Sequence, residues 1–230
     1  MSVDNIVKLV DAITQLLNVL IWPAVILFIL IRFGRDLRQF FSGLGELTLK
    51  GAGFEASLKK KQAEVTAALA AAAASRTEAN MTREDAVQEA RIAADVVAEA
   101  VTPRVVRQAS RSSILWVDDR PNNTVYERRA LEALGISFVL ATSTDEALKY
   151  ISRRRFDVIL SDMGRPPDPR AGYTLLDKLR AAGDKTPFII YASSRAPEHV
   201  AESRQHGAIG CTNNANELFE MVLLALGRAA

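Results

Sequence analysis

Hydrophobic and polar positions change rhythm three times along this chain. The first rhythm is a run without charge, residues 12–31, lying between Asp11 and Arg32. At a rise of about 1.5 Å per residue it spans roughly 30 Å, the thickness of a bilayer's hydrocarbon core. Pro23 falls inside it, which a membrane helix tolerates because neighbouring groups re-satisfy the freed backbone. A signal peptide is the competing reading, but it wants a basic start and a small-residue cleavage site. Here Asp4 and Asp11 stand against Lys8, and RFGRDLRQFF follows. Residues 1–33 are therefore expected to be a tail and a single transmembrane helix. Arg32, Arg35, Arg38, Lys50 and Lys59 to Lys61 follow the run, and only Lys8 precedes it. The positive-inside rule then puts the C-terminal bulk in the cytoplasm, at the inner (cytoplasmic) membrane.

The second rhythm is transitional. In residues 34–58, Leu47, Leu49 and the glycines of LTLKGAGFEASL predict short strands around a Gly turn. Residues 59–112 turn rich in Ala, Glu, Arg and Lys and predict helix, broken between Ser75 and Thr82 and again at Thr102-Pro103. Their apolar faces are thin: Ala68, Leu69 and Ala72, then Ile92, Val96 and Val97. A face of that size buries little area alone. A coiled-coil-like stalk, paired with a copy or with another helix, is expected, and with the strand pair it implies a homo-oligomer.

The third rhythm begins at residue 113 and alternates strand with helix. Strands are expected at 114–117, 137–141, 157–161, 188–192 and 209–211; helices at about 123–134, 144–153, 172–182, 196–206 and 215–226. The first, third and fourth strands are near-continuous apolar runs, as buried parallel strands require. Ser143-Thr-Asp-Glu146 reads as a capping box, and Gly183, Gly207 and Gly227 as helix stops. Five βα units in residues 113–230 predict an α/β domain: a flavodoxin-like five-stranded parallel sheet, order 2-1-3-4-5.

Composition narrows the chemistry. A net charge of +2 in 230 residues gives no global field toward nucleic acid, and no nucleic-acid partner is expected. One cysteine, Cys211, allows no internal disulfide and, with two histidines, makes zinc improbable. His199 and His206 fall in a surface helix and are expected to be solvated. What is left is acidic. Asp118 and Asp119 end the first strand and Asp162 ends the third, and in the 2-1-3-4-5 order those ends are neighbours at the edge where such sheets bind ligands. Three carboxylates there suit a hard cation such as Mg²⁺, and one of them can accept a phosphoryl group. A Mg²⁺-dependent phosphohydrolase would want a second Asp two residues after the nucleophile, where Gly164 stands. No enzyme is expected.

These pieces, with Gly207-Ala208 before the fifth strand and Pro187 before the fourth, resemble the receiver domains of response regulators, from Ile114 to about Leu226. The resemblance implies phosphorelay signalling, with Asp162 as phosphoacceptor and a histidine kinase or other signalling protein as partner. It implies Mg²⁺ held by Asp119, Asp118, Asp162 and the backbone carbonyl of Gly164. It fails where the family reads phosphorylation out. Ala192 stands where Ser or Thr is usual, Cys211 where an aromatic is usual, and Asn214 where Lys is usual. The loop after Asp162 is two residues longer than is usual in the family. Ser193, Asn214 and Arg165 are the candidates to hold the phosphoryl group instead.

Two functions stay open. One is a membrane-anchored receiver-like signalling protein phosphorylated at Asp162. The other is an oligomeric membrane-bound structural or effector protein whose pseudo-receiver senses a partner or ligand without phosphorylation.

Overall fold

The computed structural model describes residues 53–75, 83–192 and 196–228. The predicted transmembrane run, the juxtamembrane residues as far as 52, and Ser193 lie outside them. No helix among the described residues is long and apolar enough to cross a membrane.

Three helices come first: α1 (residues 53–75), α2 (Arg83–Ala100) and α3 (Pro103–Ala109). There follow β1 (Ser113–Val117), a 3-10 turn (Pro121–Thr124), α4 (Val125–Glu132), β2 (Ser137–Ala141), α5 (Thr144–Ile151) and β3 (Val158–Ser161). Then come α6 (Ala171–Ala181), β4 (Phe188–Tyr191), α7 (Pro197–Gln205), β5 (Gly210–Thr212) and α8 (Ala215–Arg228). The sheet is parallel in the order β2-β1-β3-β4-β5, as predicted.

Alternate residues of the central strands face opposite layers, the two-residue period of a strand. Ile114, Trp116, Leu160, Ile189 and Tyr191 join one core with α4 and α8 residues such as Leu131, Leu218 and Val222. Leu115, Val117, Ile159, Phe188 and Ile190 join the other with α5 and α6 residues such as Ala147 and Leu176. Gly183 and Gly207 end α6 and α7 at φ of 76° and 90°, the left-handed region where a Cβ is penalised. The capping box forms with a shift of one residue. Ser143 Oγ accepts from Glu146 N at 3.2 Å, while the Glu146 carboxylate accepts from Thr142 N at 2.7 Å. Those bonds from Thr142 hold the Glu146 carboxyl below its usual range.

The stalk reading is corrected. Val65, Leu69 and Ala72 of α1 and Ala93 and Val97 of α2 are buried in the same core as Trp116 and Leu218. The thin faces are thus covered within the chain, because α8 and α4 offer the apolar area that a free Ala-rich helix lacks. Ile92, assigned to the apolar face, points outward at 39% exposure. Polar ties fix the arrangement. Lys61 Nζ donates to Ala133 O at 2.6 Å, Gln62 Nε2 donates to Val101 O at 3.1 Å, and the Gln108 amide donates to Leu226 O. The break at Thr102-Pro103 is a helix restart, with Thr102 Oγ1 accepting from Val105 N. Residues 53–58, expected in a strand, are helical: Leu58 packs on the shared core, and the Ala- and Lys-rich sequence that follows favours helix over strand.

Candidate functional site

β1 and β3 deliver the acidic residues to one point. Asp118 N donates to Ala141 O and Asp162 N to Val117 O, both at 2.9 Å, so the ladders run to the last residue before each carboxylate. One ligand oxygen from each of Asp118, Asp119 and Asp162 lies within 4.8 Å of the others. Asp118 is the most deeply set, and its Oδ1 accepts from Arg120 N at 2.7 Å. Asp162 Oδ1 accepts from Met163 N at 2.7 Å. The three line a cleft of about 450 Å³ with Gly164, Asn123, Thr124, Tyr191 and Ala192. Arg120 is the cation among its described lining residues, with Nε 3.6 Å from Asp119 Oδ2 and a side chain 72% exposed.

A neighbouring negative charge raises the proton affinity of a carboxyl. Burial, and after it the neighbouring Asp118 and Asp119, hold the Asp162 carboxyl above its usual range, against the Met163 amide and Arg165. A hard divalent cation fits this donor set. It takes oxygen ligands and offsets the repulsion among the three carboxylates. Asp118, Asp119, Asp162 and the Gly164 carbonyl are the groups that would hold it.

The sign of the pH effect follows. A carboxyl whose folded-state pKa is raised binds protons more tightly folded than unfolded, so its contribution to stability falls as pH rises through and above the ordinary carboxylate range. Asp162→Asn is therefore expected to raise the melting temperature by about 3 °C at pH 7 without added cation. The gain should vanish near pH 3. Thermal unfolding of both proteins across pH checks this; an equal shift at both pH values would refute the charge account.

Of the three residues nominated to hold a phosphoryl group, Ser193 lies outside the described residues. Arg165 and Asn214 are placed elsewhere. Arg165 is 3% exposed and turned into the protein, and it does not line the acidic cleft. Its Nη1 donates to Ser161 Oγ and Asp162 O, each at 2.6 Å, and its Nη2 to Ala171 O at 2.9 Å and Thr144 Oγ1 at 3.1 Å. Asn214 caps α8, its Oδ1 accepting from Asn216 N at 2.8 Å and Glu217 N at 3.0 Å.

The loop after Asp162 folds into a small hairpin. Arg165 N donates to Asp168 O at 3.0 Å and Asp168 N to Arg165 O at 2.8 Å. Gly172 N donates to Met163 O at 2.8 Å, and a Cβ on Gly172 would sit 3.0 Å from Asp162 O, a close approach that favours glycine.

One residue pair was missed. Glu127 is 2% exposed, and its Oε1 accepts from Tyr191 Oη at 2.7 Å beneath the cleft. Its signal was present: Glu127 sits four residues before Leu131 and seven before Leu134, on the apolar stripe of α4. His206, expected to be solvated, stacks on Tyr173 at 4.2 Å and meets Asp177 through Nδ1 at 2.7 Å.

Residues 114–222 match the response regulator receiver domain. The match covers the sheet and its helices and leaves α1 to α3 outside it. Among curated proteins, this chain is 31% identical over 90 residues to the sensor protein EvgS of Escherichia coli, covering 39% of this chain and 7% of that protein. It is 28% identical over 110 residues to the sensor histidine kinase RcsC of the same organism, covering 48% and 11%. The chain thus spans a small fraction of the length of these relatives. Among solved structures, the receiver domain of a Francisella response regulator is 27% identical with a TM-score of 0.48, covering 52% of this chain and 99% of that one. TrrA of Thermotoga maritima, in complex with Mg²⁺-BeF, is 23% identical with a TM-score of 0.43, covering 50% and 98%.

Proposed function

We propose that this chain is a membrane-anchored receiver protein, with residues 12–31 in the inner membrane and the receiver domain in the cytoplasm, phosphorylated on Asp162 by a histidine kinase or other phosphodonor. The observation that carries the reading is the convergence of Asp118, Asp119 and Asp162 at the ends of β1 and β3. In the transfer, an Asp162 carboxylate oxygen attacks phosphorus, a phosphorus–oxygen bond forms, and the bond from phosphorus to the donor breaks with its electron pair leaving on the donor. Mg²⁺, when bound, supplies charge neutralisation for the incoming phosphate oxygens. Asp118 and Asp119 would hold that charge in place. Their alignment is fixed by the strand ladders and by the Arg120 amide. Arg120, at the rim, supplies a cation where the family's lysine position carries the capping Asn214.

Full-length protein incubated with acetyl phosphate and Mg²⁺ is expected to gain one phosphoryl mass, lost in Asp162→Asn and in chelator. No gain, where a control receiver is labelled, would sink the reading.

The altered positions favour a second reading. Ala192 has no hydroxyl, and Asn214 is spent on a helix cap. In that reading the protein is an oligomeric membrane-bound effector whose domain senses a partner without phosphorylation. Absence of labelling together with a concentration-independent oligomer in sedimentation of detergent-solubilised protein would support it over the first.

A further inference from the structure

The acidic cleft marks one edge of the sheet, and the opposite edge is basic. Two clefts open where β1, β3 and β4 begin. One, of about 550 Å³, is lined by Arg154, Arg155 and Lys185 beside Phe156 and Thr186. The other, of about 480 Å³, is lined by Arg104, Arg107 and Arg111 beside Ser112 and Asp157. All six cations are exposed. Among the described residues, no carboxylate forms a salt bridge with any of them. The two acidic residues that line these clefts are occupied by the backbone. Asp157 Oδ2 accepts from Ser113 N at 2.7 Å, and Asp184 Oδ1 from Thr186 N at 2.8 Å. Arg154 is held at its cleft, 4.6 Å over the Phe156 ring and bonded to Ser113 Oγ.

Helix ends explain part of this. Helices of a parallel α/β domain finish at this edge, and a cation in the last turn complements their partial negative charge. One cation for each helix end meets that need; three exposed guanidinium groups around one short helix, α3, exceed it.

The path of the chain says what this edge faces. Lys61 is bonded to Ala133, just past the end of α4, which lies at the strand-start edge. The next turns of α1, Glu64 to Ala71, line a groove along α4. α1 therefore runs from the basic edge toward the acidic one. Its early residues, including the exposed Lys59 and Lys60, lie at the basic edge.

We infer that this basic edge docks on the anionic phosphate headgroups of the bilayer that holds residues 12–31. The inference rests on the membrane reading above and adds a lipid partner to it. Anionic headgroups attract each nearby Lys or Arg enough to change affinity roughly fivefold, and the effect dies within a Debye length. Docking on lipid would turn the acid cleft, at the far edge, toward the cytoplasm.

The test uses full-length protein in nanodiscs of phosphatidylcholine, with or without phosphatidylglycerol. In a Cys211→Ser background, a fluorophore is placed at Ser152→Cys on the basic edge or at Asn122→Cys on the acidic edge, and energy transfer to headgroup-labelled lipid is measured. Transfer from residue 152 should rise several-fold with phosphatidylglycerol and fall again in roughly 0.5 M salt. Transfer from residue 122 should stay low. Arg154→Glu with Arg155→Glu and Lys185→Glu should abolish the rise. Equal transfer with and without anionic lipid would overturn the docking, as would nucleic acid co-purifying through these residues without any lipid-dependent rise. The salt titration of the protein with the six cations intact keeps the test decisive if the triple variant misfolds. Carbonate extraction separates the two failures. Release from the membrane overturns the anchor and the docking together; retention without lipid-dependent transfer overturns the docking alone.

Discussion

Arg165→Ala is expected to destabilise the α/β domain by about 3 kcal/mol or more, the range for breaking a buried charged network. The guanidinium ties Ser161 and Asp162 at the end of β3 to Thr144 at the start of α5 and Ala171 at the start of α6. Removing it leaves buried carbonyl and hydroxyl acceptors unmade and a gap in a packed layer. It also removes the buried cation nearest the carboxylates, one of the two influences that lower the Asp162 proton affinity. Two readouts should therefore move together: a lower denaturation midpoint and a weaker ionisation of Asp162, seen as phosphoryl labelling that needs higher pH. Arg165→Lys should not rescue, because a lysine cannot reproduce the planar fork that reaches five partners. A folded, normally stable alanine variant would show that the network is dispensable.

The second large effect concerns the N-terminal helices. A chain beginning at Pro103 should not behave as a stable domain, although the receiver match begins at residue 114. It loses Val65, Leu69, Ala93, Val97 and Val101, each at most 1% exposed and all in one core with Leu218 and Phe219. Leu69→Ala in the intact chain should by itself cost about 3 kcal/mol. Denaturant midpoints of wild type and Leu69→Ala, with dye binding by the truncated chain, check both points. A truncated chain as stable as the full one would return α1 and α2 to the role of a detached stalk.

The fold of the α/β domain was legible because its signals are local and redundant. Apolar runs ending at Asp118 and Asp162, a cap at Ser143 and glycine stops at Gly183 and Gly207 agree on the same elements. The acid cluster was legible for a different reason: strand order alone brings β1 and β3 together. What the sequence hid was choice of partner. Leu69 and Val97 show a thin apolar face in either a coiled coil or a packed layer, and periodicity cannot say which surface covers it. Arg165 looked like a free cation because loop position says nothing about where a long side chain turns. Asn214 looked like a ligand position, while its neighbours Asn216 and Glu217 needed a cap.

The Arg165–Asp168 hairpin bears on how this protein can be handled. Its two backbone bonds close the loop on itself before the chain reaches Gly172. Loop length is thereby uncoupled from the position of α6. Residues added at the tip, around Pro166 and Pro167, lengthen an excursion that already starts and ends at fixed points. That tip is a place to graft a peptide tag or a reporter beside the acid cleft while the carboxylates stay where β1 and β3 put them.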